Sequence, residues 1–297
     1  MSRFDLVGET PLVRLRKVVG SLPTGVEVWA KIESANPGGS VKDRAASAIL
    51  RDRIARGIPK GARLLDSSSG NTGIAYGSFC AELGLPLTLV LPANANRERK
   101  RLLQAYGVDL LLSDPLEGSD GAIRTAQALA AADPARWLYL DQYSNPANPR
   151  AHELGTAHEI WRQTDGRVTH WVAGLGTTGT FVGTARGLRK RNGGIRTVAV
   201  QPAGPFHGLE GLKHLPSAIS PPIWDAATAD RMLWAPTEES LELRQRLGRE
   251  EGLLVGPSSG AALWGALEVA RGLESGVVVT LFPDGGERYV SEDHLWD

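Results

Sequence analysis

The first turn of a helix is an unfavourable place for a positive charge, and the sequence puts a lysine there. In the segment SANPGGSVKDRAA (34–46), Lys42 stands two residues after a Gly-Gly-Ser turn, at the start of a stretch whose apolar face is Val41, Ala45, Ile49 and Ile54. The positive end of the helix dipole opposes the ammonium form and favours loss of its proton. A lysine so disposed is the side chain that condenses with carbonyl compounds, so the chemistry on offer is that of a Schiff base. Taken alone, Lys42 reads more simply as a solvated surface lysine. What shifts the reading is an anion-binding loop elsewhere in the chain.

That loop is GLGTTG (174–179), a Gly- and Thr-rich turn between a strand and a helix, which offers free backbone N–H groups and two hydroxyls to an anion. It also satisfies the G-x-G-x-x-G pattern of dinucleotide folds. A dinucleotide site wants an acidic residue at the end of the following strand, to hold the ribose hydroxyls. Here that strand ends in Val200, Gln201 and Pro202, so one phosphate fits better than a dinucleotide. GPSSG (256–260) satisfies G-x-S-x-G, the nucleophile elbow of α/β hydrolases, with Ser258 as nucleophile and Asp284 and His294 following in the right order. A hydrolase would leave Lys42 and the other Gly-rich loops unexplained, and it stands as the distant alternative. The six histidines show no metal-ligand spacing, and no metal is expected.

These residues need a scaffold, and the chain supplies one. At 297 residues and 42% hydrophobic it can bury a full core as one large or two smaller α/β domains. Lys plus Arg and Asp plus Glu both count 33, so no net field draws in nucleic acid or an anionic membrane, and small-molecule partners fit better. The single cysteine, Cys80, excludes an internal disulfide framework and reads as a small buried hydrophobe. With no long apolar run and no signal-peptide pattern at the start, the expected location is cytoplasmic. From about Gly61 onward, strand candidates at 63–66, 87–91, 109–112, 138–141, 170–173, 197–201, 253–255 and 277–282 alternate with helical stretches. Those begin near Val41, Thr72, Arg97, Asp120, Asn148, Gly179, Glu238 and Ser259. This alternation predicts mainly parallel sheets covered by helices, with ligands at the carboxyl ends of the strands. A polar, proline-studded stretch, 141–150, suits a domain boundary, and 202–225 is a long segment without clear period.

Six segments, SANPGGSVKDRAA, SSSGNTGIAYG (67–77), DQYSNPANPRAH (141–152), GLGTTGT (174–180), GPSSGAA (256–262) and PDGGERYVS (283–291), occur in the order characteristic of the cysteine synthase family. The chain resembles that family over almost its whole length, and its GTTGT loop and short length resemble the B branch more than the A branch. The resemblance implies the tryptophan synthase β-like fold of type II pyridoxal-phosphate enzymes, with two α/β domains and mainly parallel sheets, as a homodimer. It implies a larger, cofactor-phosphate-binding domain at 1–39 and 147–297, and a smaller mobile domain at 40–146 that carries the asparagine loop. It implies pyridoxal 5'-phosphate as cofactor, with Lys42 binding its aldehyde and moving the substrate Cα proton. Asn71 would meet the phenolic oxygen, Gly176, Thr177, Thr178, Gly179 and Thr180 the phosphate, and Ser258 the pyridine nitrogen. Ser68, Ser69, Gly70, Thr72 and Gln142 would read the substrate carboxylate.

The implied reaction is β-replacement on O-acetyl-L-serine by sulfide or thiosulfate, through an aminoacrylate, to give L-cysteine. A serine at the pyridine nitrogen fits this, since a neutral ring disfavours long-lived carbanions. O-phosphoserine as substrate and cystathionine β-synthase activity are the near alternatives. His207, Lys213 and His214 in 205–216 are the residues that would meet a phosphate leaving group. Departures from the family pattern are mild: Ser67 and Ser68 where Pro and Thr are usual, Ala157 and His158 where Gly-Pro is usual, and Gly286 where Ser is common.

Overall fold

The computed structural model describes residues 2–292. The strands are β1 (Leu12–Arg14), β2 (Val26–Ile32), β3 (Arg63–Ser67), β4 (Leu87–Pro92), β5 (Asp109–Ser113), β6 (Trp137–Tyr139), β7 (His170–Gly174), β8 (Arg196–Pro202), β9 (Arg231–Ala235) and β10 (Gly276–Phe282). The helices are α1 (Lys42–Ala55), α2 (Asn71–Leu83), α3 (Arg97–Ala105), α4 (Gly118–Ala132), α5 (Ala147–Ala151), α6 (Ala157–Gln163), α7 (Gly179–Arg191), α8 (Thr237–Arg246) and α9 (Pro257–Ala270). Among the described residues no helix is long and apolar enough to cross a membrane. The chain divides into two compact units. One comprises Met1–Val7 and Lys42–Asn148, the other Gly8–Val41 and Pro149–Asp297. The breaks thus fall at 41/42 and 148/149, and the first seven residues belong with the smaller unit.

The smaller unit is built on a four-stranded sheet in the order β5-β4-β3-β6, parallel throughout. Its central strands are apolar on both faces, as a parallel sheet covered by helices requires. Leu64, Leu87, Leu89 and Leu91 pack with Ala46, Ile49 and Leu50 of α1 and with Ile74, Ala75 and Phe79 of α2. Leu65 and Val90, one residue out of phase, pack with Ala122 and Ala126 of α4 on the other face. Cys80 lies in the first of these clusters, where burial pushes its thiol up to about 12. Ile54, placed on the apolar face of α1 by its spacing, is instead exposed, and Leu50 is buried in its stead.

The larger unit carries a six-stranded sheet in the order β1-β2-β10-β7-β8-β9, antiparallel only between β1 and β2. Alternate residues again serve two cores. Val28, Val172, Val198, Val200 and Val278 face one, and Trp171, Ala173, Ala199, Val279 and Leu281 the other. Strands β1, β2 and β9 lie outside the expected set. In β2, Val26, Val28 and Ala30 alternate with Glu27 and Lys31, and these charges mask the strand. Lys31 is fully buried, its ammonium 2.8 Å from Glu159 and hydrogen-bonded to the Thr10 carbonyl and Gln163. Residues 253–255, expected to be a strand, are not one. Only Val255 pairs, by a single bridge to Gly285, because the chain arrives from a left-handed Gly252 and turns at once into α9.

Candidate active site

In the smaller unit the predicted substrate-reading residues follow β3. Ser67 ends the strand, 68–70 turn, and Asn71 and Thr72 open α2. The residue before α2 is Gly70, which has no side chain to cap with, so the positive end of the helix dipole lies in this loop. Ser68 Oγ accepts from the N–H of Gly70 at 3.3 Å and of Gly73 at 3.0 Å, which shapes the turn. Thr72 donates its hydroxyl to Gln142 Oε1 at 2.7 Å, and Gln142 Nε2 donates to the Ser67 carbonyl at 2.9 Å. Two of the five predicted carboxylate readers, Thr72 and Gln142, are therefore bonded to each other, and Ser68 shapes the turn that contains the other two, Ser69 and Gly70.

Beneath this structure lies a residue that the sequence reading does not single out. Asp66, at the end of β3, is fully buried and accepts from the N–H of Ser67 at 2.7 Å and of Gln142 at 3.3 Å. Burial, and secondarily the charge of Asp141, push its carboxyl up to about 7. The signal was available, since a carboxylate inside a two-sided apolar strand needs a reason. Asn148 likewise holds the segment, donating to the Gln142 carbonyl at 2.7 Å. Asp141, just before Gln142, takes a left-handed backbone with φ of 49°, a conformation rare outside glycine that clusters at functional sites.

Lys42 opens α1 and follows directly from the larger unit. There β2 and β10 run parallel with Ile32 opposite Phe282, so the loops that leave them emerge side by side. Val41 N–H donates to the Pro283 carbonyl at 2.8 Å, and Ser40 bridges Asp284. Upstream, Asn36 accepts from Gly8 N–H at 2.9 Å and donates to Glu33, whose other carboxylate oxygen takes the Thr10 hydroxyl at 2.7 Å. Arg288 donates to the Gly38 carbonyl. Buried Glu33, a further residue the sequence reading passes over, thereby fixes the turn that precedes Lys42 in the chain.

The Gly174–Thr180 turn joins β7 to α7 in the larger unit. Thr178 is the residue before α7, and it is left-handed at φ 67°. Its hydroxyl is buried with no hydrogen-bond partner, a costly arrangement that a bound anion would relieve. Gly176 lies so close to neighbouring backbone that a Cβ there would sit 2.5 Å from the Gly211 carbonyl oxygen. The segment 202–225 accordingly packs over this turn, Leu212 against Gly174 and Lys213 N–H on the Leu175 carbonyl at 2.8 Å. Gly211 also borders Ser258, so the turn and the start of α9 flank the same residue. The turn therefore fits a phosphate, and buried Ser258, a hydroxyl, fits a neutral ring nitrogen. Ser258 does not fit a hydrolase, because a nucleophile elbow needs a strand before the turn and none precedes α9. Asp284, its supposed acid, accepts the Tyr289 hydroxyl at 2.6 Å, and His294 lies outside the described residues.

The chain is a pyridoxal-phosphate dependent enzyme by family, whose model matches residues 3–284. The chain is 50% identical to the cysteine synthase of Aquifex aeolicus over 97% of its own length and 90% of that protein. Against cysteine synthase B of Pseudomonas aeruginosa the identity is 40%, over 97% and 95%. The crystal structure of cysteine synthase from Entamoeba histolytica superposes with a TM-score of 0.94 at 31% identity, covering 99% of this chain and 90% of that one. The chain belongs to the cysteine synthase family of these enzymes.

Proposed function

We propose that the protein is a cysteine synthase, a transferase that joins sulfide to Cβ of O-acetyl-L-serine with release of acetate. The observation that carries this reading is the polar loop at the start of α2, where Thr72 is bonded to Gln142, Gln142 to the Ser67 carbonyl and Ser68 to the Gly73 N–H, an anion reader suited to an amino-acid carboxylate. Lys42 holds the cofactor, takes the substrate Cα proton and returns it after sulfur has added. Asn71 hydrogen-bonds the phenolic oxygen, Gly176, Thr177, Thr178, Gly179 and Thr180 take the phosphate, and Ser258 meets the ring nitrogen. Ser68, Ser69, Gly70 and Thr72, with Gln142, would hold the substrate carboxylate. When bound, pyridoxal phosphate supplies the electron sink for the carbon at Cα.

Two of the three candidate phosphate readers over the Gly174–Thr180 turn, the histidines, favour the acetyl ester. Burial, and then neighbouring His214, hold His207 below the ordinary imidazole value, so it is neutral near pH 7 and brings no charge to a phosphate leaving group. His214 is engaged with Ser217 at 2.7 Å and packs on Trp234. A homodimer working in the cytoplasm is the accompanying proposal, supported by the family and by a lone, buried cysteine. Steady-state kinetics test the function. Sulfide with O-acetyl-L-serine should give L-cysteine with the highest kcat/KM. A larger value for O-phospho-L-serine, or for homocysteine as sulfur donor giving cystathionine, would replace this reading with its near alternatives.

A further inference from the structure

Helix α7 carries glycine at positions 179, 183 and 187, a stripe with nothing to present but backbone. A Cβ on Gly183 would lie 2.0 Å from the Pro149 carbonyl oxygen and 2.9 Å from Cβ of His152; one on Gly187 would lie 2.5 Å from Ala157 Cβ and the Glu153 carbonyl oxygen. The stripe thus seats the 149–163 helical segment directly against α7. At that point the segment is not regular. His152–Thr156 form a π turn, in which Ala157 N–H bonds back to the His152 carbonyl. Such turns insert one extra residue into a helix and are found frequently at functional sites.

What the π turn presents is the imidazole of His152, 1% exposed. Each ring nitrogen faces a hydroxyl: Nε2 lies 3.2 Å from Thr180 Oγ1, and Nδ1 lies 2.9 Å from Thr156 Oγ1. A neutral imidazole donates from one nitrogen and accepts at the other, so the two bonds must run in the same sense through the ring. In one sense Thr156 donates to Nδ1 and Nε2–H donates to Thr180, whose own proton is then free to point away from the ring. In the other sense Thr180 spends its proton on His152, and only lone pairs face outward. An anion at the loop is attracted by the first arrangement and repelled by the second.

We propose that His152 is a positioning residue for the cofactor phosphate: its Nε2 proton, held on Thr180 Oγ1, turns the Thr180 hydroxyl proton toward the phosphate. This rests on the reading that Thr180 belongs to the phosphate site, and the experiment separates the two. Dissociation constants of pyridoxal 5'-phosphate are measured by absorbance titration of the apoenzyme, with the ³¹P shift of the bound cofactor as a second readout. Loss of one hydrogen bond to a charged group corresponds to roughly tenfold in affinity or more. Thr180→Val and His152→Leu should each weaken binding about tenfold, and the double variant should be no weaker than Thr180→Val. His152→Gln, whose amide N–H can take the place of Nε2–H, should bind as the wild type does. In the wild-type holoenzyme, ¹⁵N NMR of the histidines should show His152 as the Nε2–H form, a result independent of how any variant folds. Unchanged affinity in Thr180→Val would overturn the phosphate assignment and the proposal with it. If Thr180→Val weakens binding but His152→Leu does not, or if the two losses multiply in the double variant, or if the holoenzyme holds the Nδ1–H form, the proposal alone is overturned.

Discussion

The substitution Asp66→Asn isolates the buried carboxyl beneath the substrate-reading loop. In the native protein burial raises this group from the ordinary 3.8 to about 7, so between those values the folded chain holds a proton that the unfolded chain has released. Stability therefore falls as pH rises through that window, and levels off above it, where both states are ionised. At about 1.4 kcal/mol per tenfold change in proton affinity, the full effect is ~4 kcal/mol. The replacement amide cannot titrate, and it gives up one acceptor, that of the 3.3 Å bond from Gln142 N–H, at a pH-independent cost of about 1 kcal/mol. The variant should therefore be about 1 kcal/mol less stable than wild type near pH 4 and more stable by a few kcal/mol at pH 8. Urea unfolding followed by circular dichroism at several pH values reads this difference, in which the titrations shared by both proteins cancel. Hydrogen exchange at the Ser67 and Gln142 amides reads it locally. A stability difference that stays constant from pH 4 to pH 8 would refute the argument that Asp66 is ionised only at the expense of the fold.

Two further outcomes follow from buried polar groups. Lys31→Met removes the ammonium that stands 2.8 Å from buried Glu159, and should cost about 3–5 kcal/mol in urea unfolding. Adding Glu159→Met should recover most of that loss, and a single variant within about 1 kcal/mol of wild type would mean that the pair is solvated. Ser258→Asp should keep the cofactor yet lose at least tenfold in kcat, because a carboxylate accepting from the ring N–H would keep that nitrogen protonated and stabilise carbanions that β-replacement does not need. Unchanged turnover would remove Ser258 from the ring nitrogen.

Helix starts were the most legible part of the fold, because polar or glycine-rich turns precede apolar runs at Lys42, Asn71, Gly179 and Pro257. The parallel sheets followed from uninterrupted apolar strands such as β4, buried at every residue. What stayed hidden depended on partners distant in sequence. Strand β2 looks too polar until Lys31 finds Glu159 on α6, 128 positions later. Residues 253–255 are apolar enough for a strand but have only Gly285 to pair with. In the candidate site, the Gly- and Ser-rich loops announced themselves by composition. Asp66, Glu33 and His152, which hold those loops from beneath, did not, since a buried titratable side chain is indistinguishable from a surface one until its burial is seen. The π turn at His152–Thr156 leaves no local signal at all, and its only trace is the spacing of glycines on the opposing helix.

If Lys42 carries the cofactor, chemical reduction will mark it. Reducing the purified holoenzyme with borohydride fixes pyridoxal phosphate permanently on whichever lysine holds it, and peptide mass spectrometry then locates it. The account predicts a phosphopyridoxyl group on the peptide containing Lys42, and none on any peptide of Lys42→Ala. The label on another lysine, such as Lys31 or Lys213, or persisting in Lys42→Ala, would contradict it.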